Sequence, residues 1–388
     1  MVEYIIVFIK KKFFVALVLV LFHTCLLAQD KPKKSIFRDS LDNKLDFSEF
    51  LLHPKGFIPF MQPITEPALG HIGIMVAPIF IKPSKYQTKE KYVPPNITAF
   101  FGAYTANKSW LFGAFRMGFV PQHGIKYTVA TGYGAVNLSY YRELPVVGEK
   151  EFEFNFRSFP FFGSILKQIG GSNFYVGLEY LFMNSDISPN FDFETLPEFV
   201  SDKDLKSNIS SPGIVLEFDK RDNIFTPDKG LFVNTSFHVN DNWTGSDFSF
   251  HNFELIALKY IQLKNNWISG FRFQTDQQFG DAPFYAQPGI QLRGVPAARY
   301  QGTSTYILET EQRYDVSLRW SGVAFGGMAK AVNDNQSFNE ADFIYNYGAG
   351  FRYLIARKFK IRVGVDVAWS NNDFGYYIVC GSAWNQRN

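Results

Sequence analysis

Apolar and polar side chains alternate with a period of two along most of the chain from Asn208 to Trp384, the spacing of a β-strand with two unlike faces. In 267–279 one face carries Trp267, Phe271, Phe273 and Phe279, and the other Arg272, Gln274, Asp276 and Gln278. In 361–369, Ile361, Val363, Val365, Val367 and Trp369 share one side, with Arg362, Gly364 and Asp366 between them. Strand-like blocks fall near 71–81, 95–105, 109–119, 126–142, 151–163, 173–186, 209–220 and 230–240. Others follow near 248–262, 266–279, 303–316, 319–331, 342–355, 360–370 and 374–385, and the extended, Pro-rich 56–63 brings the count to sixteen. A soluble sandwich shows such alternation once or twice. Its repetition predicts an all-β fold, a transmembrane antiparallel β-barrel of sixteen strands with lipid outside and a polar lumen inside. The connections at 187–208 and 281–302 are long and the rest short, as in barrels with long loops at one rim and tight turns at the other.

The block at 303–316 says most about what faces inward. Ile307, Glu309, Glu311, Arg313 and Asp315 alternate with Leu308, Thr310, Gln312, Tyr314 and Val316. Charges on the lipid face near mid-membrane cost several kcal/mol each, so the charged face belongs to the lumen. The same reasoning sends Arg272, Asp276, Arg352, Arg362 and Asp366 inward.

The ends and the composition agree with export to a membrane. Lys10, Lys11 and Lys12, then an apolar run from Phe13 to Phe22 and a small-residue site at Ala28, read as a cleaved signal peptide over 1–28. The apolar run is too short to span a bilayer as a helix, which takes roughly 20 residues. Its removal takes away three Lys and one Glu and brings the net charge from +3 to +1. No basic tract points to nucleic acid. Cys380 is then the single cysteine, which rules out an intrachain disulfide. Residues 29–55 are charged and aperiodic and read as a short periplasmic arm, leaving 56–388 for the barrel. With 18% aromatic residues and a mean hydropathy near zero, the chain has the composition of strands that are half polar.

Two motifs stand out. Phe218–Gly230 contains Asp219, Arg221, Asp222, Pro227 and Gly230, a strand end followed by Pro-Asp-Lys-Gly turn chemistry, with Arg221 flanked by two aspartates able to fix it. Gln291-Leu292-Arg293-Gly294-Val295 lies in the long connection just before Glu309 and Glu311. An Arg-Gly within reach of two inward carboxylates suggests a loop folded into the barrel and pinned by a charge-assisted pair.

In this order and spacing the motifs resemble those of the outer-membrane assembly-factor superfamily of BamA/TamA-like barrels, the bacterial surface antigen family, over roughly 55–388. The resemblance implies that the D-x-x-R-D…P-x-x-G element (Asp219, Arg221, Asp222, Pro227, Gly230) is a periplasmic turn. It implies that Arg293-Gly294 is the tip of an extracellular loop held in the lumen by acidic residues, and that Glu311-Gln312-Arg313 is the family's E-x-R strand. Val295 stands where the family has an aromatic, and Gly327 where many members have Asp, which leaves Arg293 to Glu309 or Glu311. The arm is too short for a POTRA domain, so the resemblance is to a barrel-only branch.

Other chemistry is thin. The mature chain has five histidines, His53, His71, His123, His238 and His251, none at metal-ligand spacing. Ser236 and His238 share a face but have no acidic partner in their motif. Trp110, Tyr260, Trp267, Tyr353, Trp369, Tyr376 and Trp384 read as an interface girdle. No catalytic residue, cofactor or metal is expected. Three function classes follow: a barrel that helps insert or move proteins or lipids at the outer membrane, with unfolded outer-membrane proteins or lipids as substrates; a pore or small-solute transporter; and, least supported, a membrane enzyme.

Overall fold

The computed structural model describes residues 36–52, 57–82, 95–144, 148–191, 197 and 199–386. The expected signal peptide, the first part of the arm and His53 lie outside the described residues. No described helix is long and apolar enough to cross a membrane.

The alternating blocks form one sheet of sixteen strands, each hydrogen-bonded antiparallel to its neighbours in sequence. The first eight are β1 (Ile58–Ile64), β2 (Gly73–Lys82), β3 (Asn96–Thr105), β4 (Trp110–Val120), β5 (Ile125–Leu144), β6 (Gly148–Gln168), β7 (Phe174–Pro189) and β8 (Lys206–Asp219). The others are β9 (Gly230–Asn240), β10 (Ser249–Lys264), β11 (Trp267–Asp281), β12 (Ser304–Asp315), β13 (Trp320–Val332), β14 (Ile344–Ala356), β15 (Ile361–Ser370) and β16 (Phe374–Cys380). This is the all-β, sixteen-stranded, nearly closed barrel that the alternation predicts.

The two faces sort as the period of two demands. Along β15, Arg362, Gly364 and Asp366 are buried in the lumen, while Val363, Val365 and Trp369 face outward. Along β12, Glu309 and Arg313 are buried and Leu308 and Tyr314 are about half exposed. Strict up-and-down order puts the turn at 220–229 on one rim and the connections at 190–205 and 282–303 on the other.

Several elements depart from the sequence reading. β5 and β6 run for 20 and 21 residues, roughly twice the length needed to span a bilayer. Their hairpin stays paired past the membrane because its inner face is apolar. Tyr140, Phe152, Phe154 and Phe156 bury themselves with Ile187 and Val200 around Phe284 of the long loop. Phe284 sits 5.0 Å from the rings of both Tyr140 and Phe154. The block expected at 374–385 is not one strand. β16 stops at Cys380, the chain turns at Gly381, and a 3-10 turn over Ala383–Gln386 carries Trp384 into the lumen. Trp384 and Tyr260 are therefore core residues, 1% and 6% exposed, with rings 5.7 Å apart, and not members of a girdle. Trp267 and Trp369 do face outward.

The arm is folded onto the turn rim. Arg319, in the β12–β13 turn, is held at 2.6 Å by each of Asp39, Asp42 and Asp46. Arg357 also bonds Asp39, and the Phe47 amide donates to the Ile355 carbonyl at 2.7 Å. The Arg357 guanidinium holds the Asp39 carboxyl well below the usual carboxylate range, and Arg319 does the same for Asp42.

Candidate functional site

The long β11–β12 connection does not lie on the surface. It enters the barrel, because its sequence offers an apolar strip and one arginine to a wall that matches both. Ile290, Leu292 and Val295 pack on inward-facing Ile307, Ala329 and Ile344. Val295, where the family resemblance would have an aromatic, is part of this cluster and 4% exposed.

Arg293, 1% exposed, sits at the inner end of the loop. Its guanidinium bonds Glu309 at 2.9 Å and Glu311 at 2.7 Å, both from β12. It also bonds Asp366 of β15 at 2.8 Å, and its Cζ lies 3.4 Å from the centre of the Phe325 ring. Asp366 is gripped from the other side by Arg352, at 2.5 and 2.9 Å. Glu309 takes further bonds from Arg272 at 3.2 Å and from the Trp384 indole at 2.6 Å. The cluster is balanced: Arg272, Arg293 and Arg352 stand against Glu309, Glu311 and Asp366.

The loop backbone is fixed as well. Asn346 donates to the Arg293 carbonyl at 2.8 Å, Ser370 donates to the Gly294 carbonyl at 2.9 Å, and the Gly294 amide donates to the Tyr377 hydroxyl at 2.8 Å. Gly294 adopts φ +89°, and a Cβ there would meet the backbone of Trp369 at 3.1 Å, so a side chain would be strained in conformation and tight against its neighbour. Gly350 lies directly opposite Asp366, and a Cβ at that position would collide with its carboxylate. The strand glycine thus makes room for the acid that Arg293 needs.

At the turn rim, Arg221 makes a bidentate pair with Asp219, both bonds 2.9 Å, and stacks over Phe232. Asp222 does not share this guanidinium. It accepts from the amides of Asp228 and Lys229 and pairs with Lys360 at 2.8 Å. The turn is more than a local hairpin: Asp228 pairs with Arg313 of β12, and the Pro227 carbonyl accepts from the same guanidinium. The Phe225 carbonyl accepts from the Ser382 amide at 2.7 Å. Despite burial, Arg313 and Lys360 hold the Asp228 carboxyl below its ordinary value. Gly230 opens β9 just beyond.

β1 and β16 are the ends of the sheet, and among the described residues no ladder joins them, though their Cα atoms come within 8 Å. Both strands are seven residues long. β1 carries Pro59 and Pro63, which have no N–H to donate. The Tyr376 hydroxyl bridges the gap to the His71 carbonyl at 3.1 Å. Departure of the chain into the lumen after Cys380 keeps β16 short, so the unpaired seam and the buried Trp384 have one cause.

The rest of the lumen, walled mainly by β7 to β11, holds a cavity of about 550 Å³. Here the acidic partner missing from the Ser236–His238 motif appears: His238 Nε2 lies 3.6 Å from Glu179. Ser236 makes no hydrogen bond to His238, so the arrangement has no activated nucleophile. Among the described residues no group of three or more His, Cys, Asp or Glu is placed to hold a metal ion. Alternation along single strands identified Asp366 as inward but could not bring it to Arg293, 73 residues away. Nothing in the sequence marked Trp384, Asn346 or Tyr377 as partners of the loop.

No protein-family model matches the chain, and no curated protein matches it. Solved structures do. BamA from Haemophilus ducreyi, in a structure lacking POTRA domains 1–3, matches with a TM-score of 0.55 at 11% identity, covering 84% of this chain and 69% of that one. CdiB from Escherichia coli matches with a TM-score of 0.55 at 10% identity, covering 86% and 69%. The chain has the fold of the BamA and CdiB barrels.

Proposed function

We propose that this chain is an exported outer-membrane barrel of the BamA/TamA type that assists the insertion or movement of proteins or lipids. In this reading it works at the β1–β16 seam, with its own long loop locked inside as a fixed plug. The observation that carries the reading is the seam. Fifteen neighbouring strand pairs are zipped by ladders, and the sixteenth contact, between two short strands of which one contains two prolines, is not, among the described residues. A strand edge left unpaired is a template for another strand. The Arg293 cluster beside the seam supplies rigidity: breaking a buried, hydrogen-bonded ion pair costs about 3–5 kcal/mol, so the loop stays in place while the seam opens.

The test is a reversible lock. One cysteine on β1 and one on β16, in a Cys380→Ser background, are oxidised in purified protein reconstituted in liposomes. The unlocked barrel should speed the folding of a urea-denatured outer-membrane protein, the oxidised one should not, and reductant should restore the effect. Equal activity with the seam locked and open would reject the proposal. The cavity of about 550 Å³ favours a second reading, a small-solute pathway through the unfilled side of the lumen. Single-channel recording separates the two: a steady large conductance belongs to a pore, and a low, flickering one to a plugged barrel.

A further inference from the structure

Away from the strand ends, the outward positions of β9 to β16 carry one charged side chain among the described residues, Lys259 on β10. A cation facing lipid is unfavourable unless it reaches water or an anion. Other outward cations are satisfied by the protein itself. Arg116 of β4 donates to the Thr98 and Tyr127 hydroxyls, and Lys330, near the end of β13, donates to the Phe338 carbonyl at 2.7 Å. Lys259 is exposed, and its ammonium makes no hydrogen bond, ion pair or ring contact among the described residues. Its outward neighbours across the ladders are Leu231 and Phe271, and no Asp or Glu shares the outward face around it.

The wall beside Lys259 is hollowed. A groove of about 570 Å³ lies over Thr310 and Gly326, between Phe271 and Phe273 of β11, Leu308 of β12 and Met328 of β13. Gly326 keeps it open. A Cβ at that position would meet only the Asn346 carbonyl oxygen at 3.5 Å, an ordinary contact, and its backbone is that of an unstrained strand. Neither packing nor conformation requires a glycine there, so the missing side chain is felt only as space on the lipid side.

The depth of the site suits a headgroup. Lys259 is opposite Phe271, four residues along β11 from Trp267, the outward aromatic at the turn rim. On a tilted strand four residues correspond to about 10 Å of depth, within which a lysine stem can carry its ammonium back to the interface.

We propose that this groove binds a phospholipid of net negative charge from the leaflet on the turn side, with one acyl chain over Thr310 and Gly326 and the phosphate on Lys259. The phosphate supplies the anion that the wall lacks, and the absence of a nearby carboxylate leaves nothing to hold the ammonium of a zwitterionic headgroup. The groove is on the wall of β10 to β13, away from the β1–β16 seam, so it stands or falls independently of the function proposed above.

Native mass spectrometry of the purified full chain in non-ionic detergent tests the proposal by titration with dioleoylphosphatidylglycerol. The comparison ligands are dioleoylglycerol, which has the chains without the phosphate, glycerol phosphate, which has the phosphate without the chains, and zwitterionic dioleoylphosphatidylcholine. Phosphatidylglycerol should be retained saturably, and the other three should bind more weakly. Lys259→Gln should weaken its binding about fivefold, the contribution of one basic residue near an anionic membrane surface. Gly326→Leu, which fills the groove and leaves the lysine in place, should weaken it as much or more, whereas Lys330→Gln should leave it unchanged. Heat-modifiable mobility on gels reports that each barrel is intact, and either of the first two variants suffices if folded. Equal binding of dioleoylglycerol, glycerol phosphate or phosphatidylcholine would overturn the proposal, as would an affinity untouched by Lys259→Gln or by Gly326→Leu.

Discussion

The lumen has two sides, and three carboxylates on each tell them apart. On the side of β11 to β16, Glu309, Glu311 and Asp366 meet Arg272, Arg293 and Arg352 at distances of 2.5 to 3.2 Å. On the side of β7 to β11, Glu179, Glu254 and Asp276 line a cavity of about 550 Å³ and form no ion pair with an arginine or lysine among the described residues, although the Arg272 guanidinium acts on Asp276 from its edge. Strand β11 serves both: Arg272 and Asp276, four residues apart on one face, belong to different sides. An inward charge is thus of two kinds. Where a loop fills the space and expels water, the charge must be paired, and the pair becomes structural. Where space remains, no such pairing is forced on it.

The largest effect should come from the same substitution made on each side. Glu309→Gln leaves Arg293 and Arg272 short of a buried partner and should cost about 3–5 kcal/mol, read as a lower midpoint of heat-modifiable mobility, and Arg293→Ala should match it. Glu254→Gln should shift stability by no more than about 0.5 kcal/mol, or raise it by relieving the repulsion with Asp276. Equal losses on the two sides would erase the distinction.

Within the locked side, double-mutant cycles rank the partners. Arg293 should couple more strongly to Asp366, whose side chain is fully buried, than to Glu311, which is 16% exposed. Additive effects for both pairs would show that neither carboxylate is coupled to Arg293. Trp384→Phe keeps the ring and removes the indole bond to Glu309. A hydrogen bond to a charged group is worth about 1.5–3 kcal/mol, so a smaller drop in the same midpoint is expected.

The smallest effect concerns the arm, whose ion pairs sit at the rim between these two regimes. Asp39 and Asp42 have carboxyls lowered by Arg357 and Arg319. Groups with depressed values contribute stability that is complete above the unfolded value, about 3.9, and is lost as pH falls through the lowered folded value. Docking of 36–52 should therefore hold from pH 7 to about pH 4 and weaken below it. Exchange of the Phe47 amide reports it directly. Arg319→Ala should release the arm at pH 7 without changing the barrel's midpoint, and an arm still protected in that variant would show that Arg319 does not anchor it.

Much of the fold was legible because a strand in a bilayer obeys a local rule. Each residue of β12 or β15 must choose lipid or lumen, and side-chain polarity makes the choice with no knowledge of distant partners. The Arg-Gly of the long loop was legible for a related reason, since Arg293 and the carboxylates of Glu309 and Glu311 lie within twenty residues of one another. The reach of β5 and β6 beyond the membrane was not, because it depends on Phe284, more than 100 residues downstream. Trp384 fits a girdle pattern as well as it fits a core.

The sequence by itself determined which side chains face the lumen, how many strands the chain makes, and which loop arginine seeks an acid. Tertiary structure alone decided which lumen charges are paired, that the third carboxylate of the lock is Asp366, that the C-terminal turn folds inward on Glu309, and that β1 and β16 stay unzipped. The reason is the range of the forces involved. Alternation records a contest between lipid and water fought at each residue, whereas pairing, plugging and closure depend on which distant segments occupy the same few ångströms once the sheet has curled.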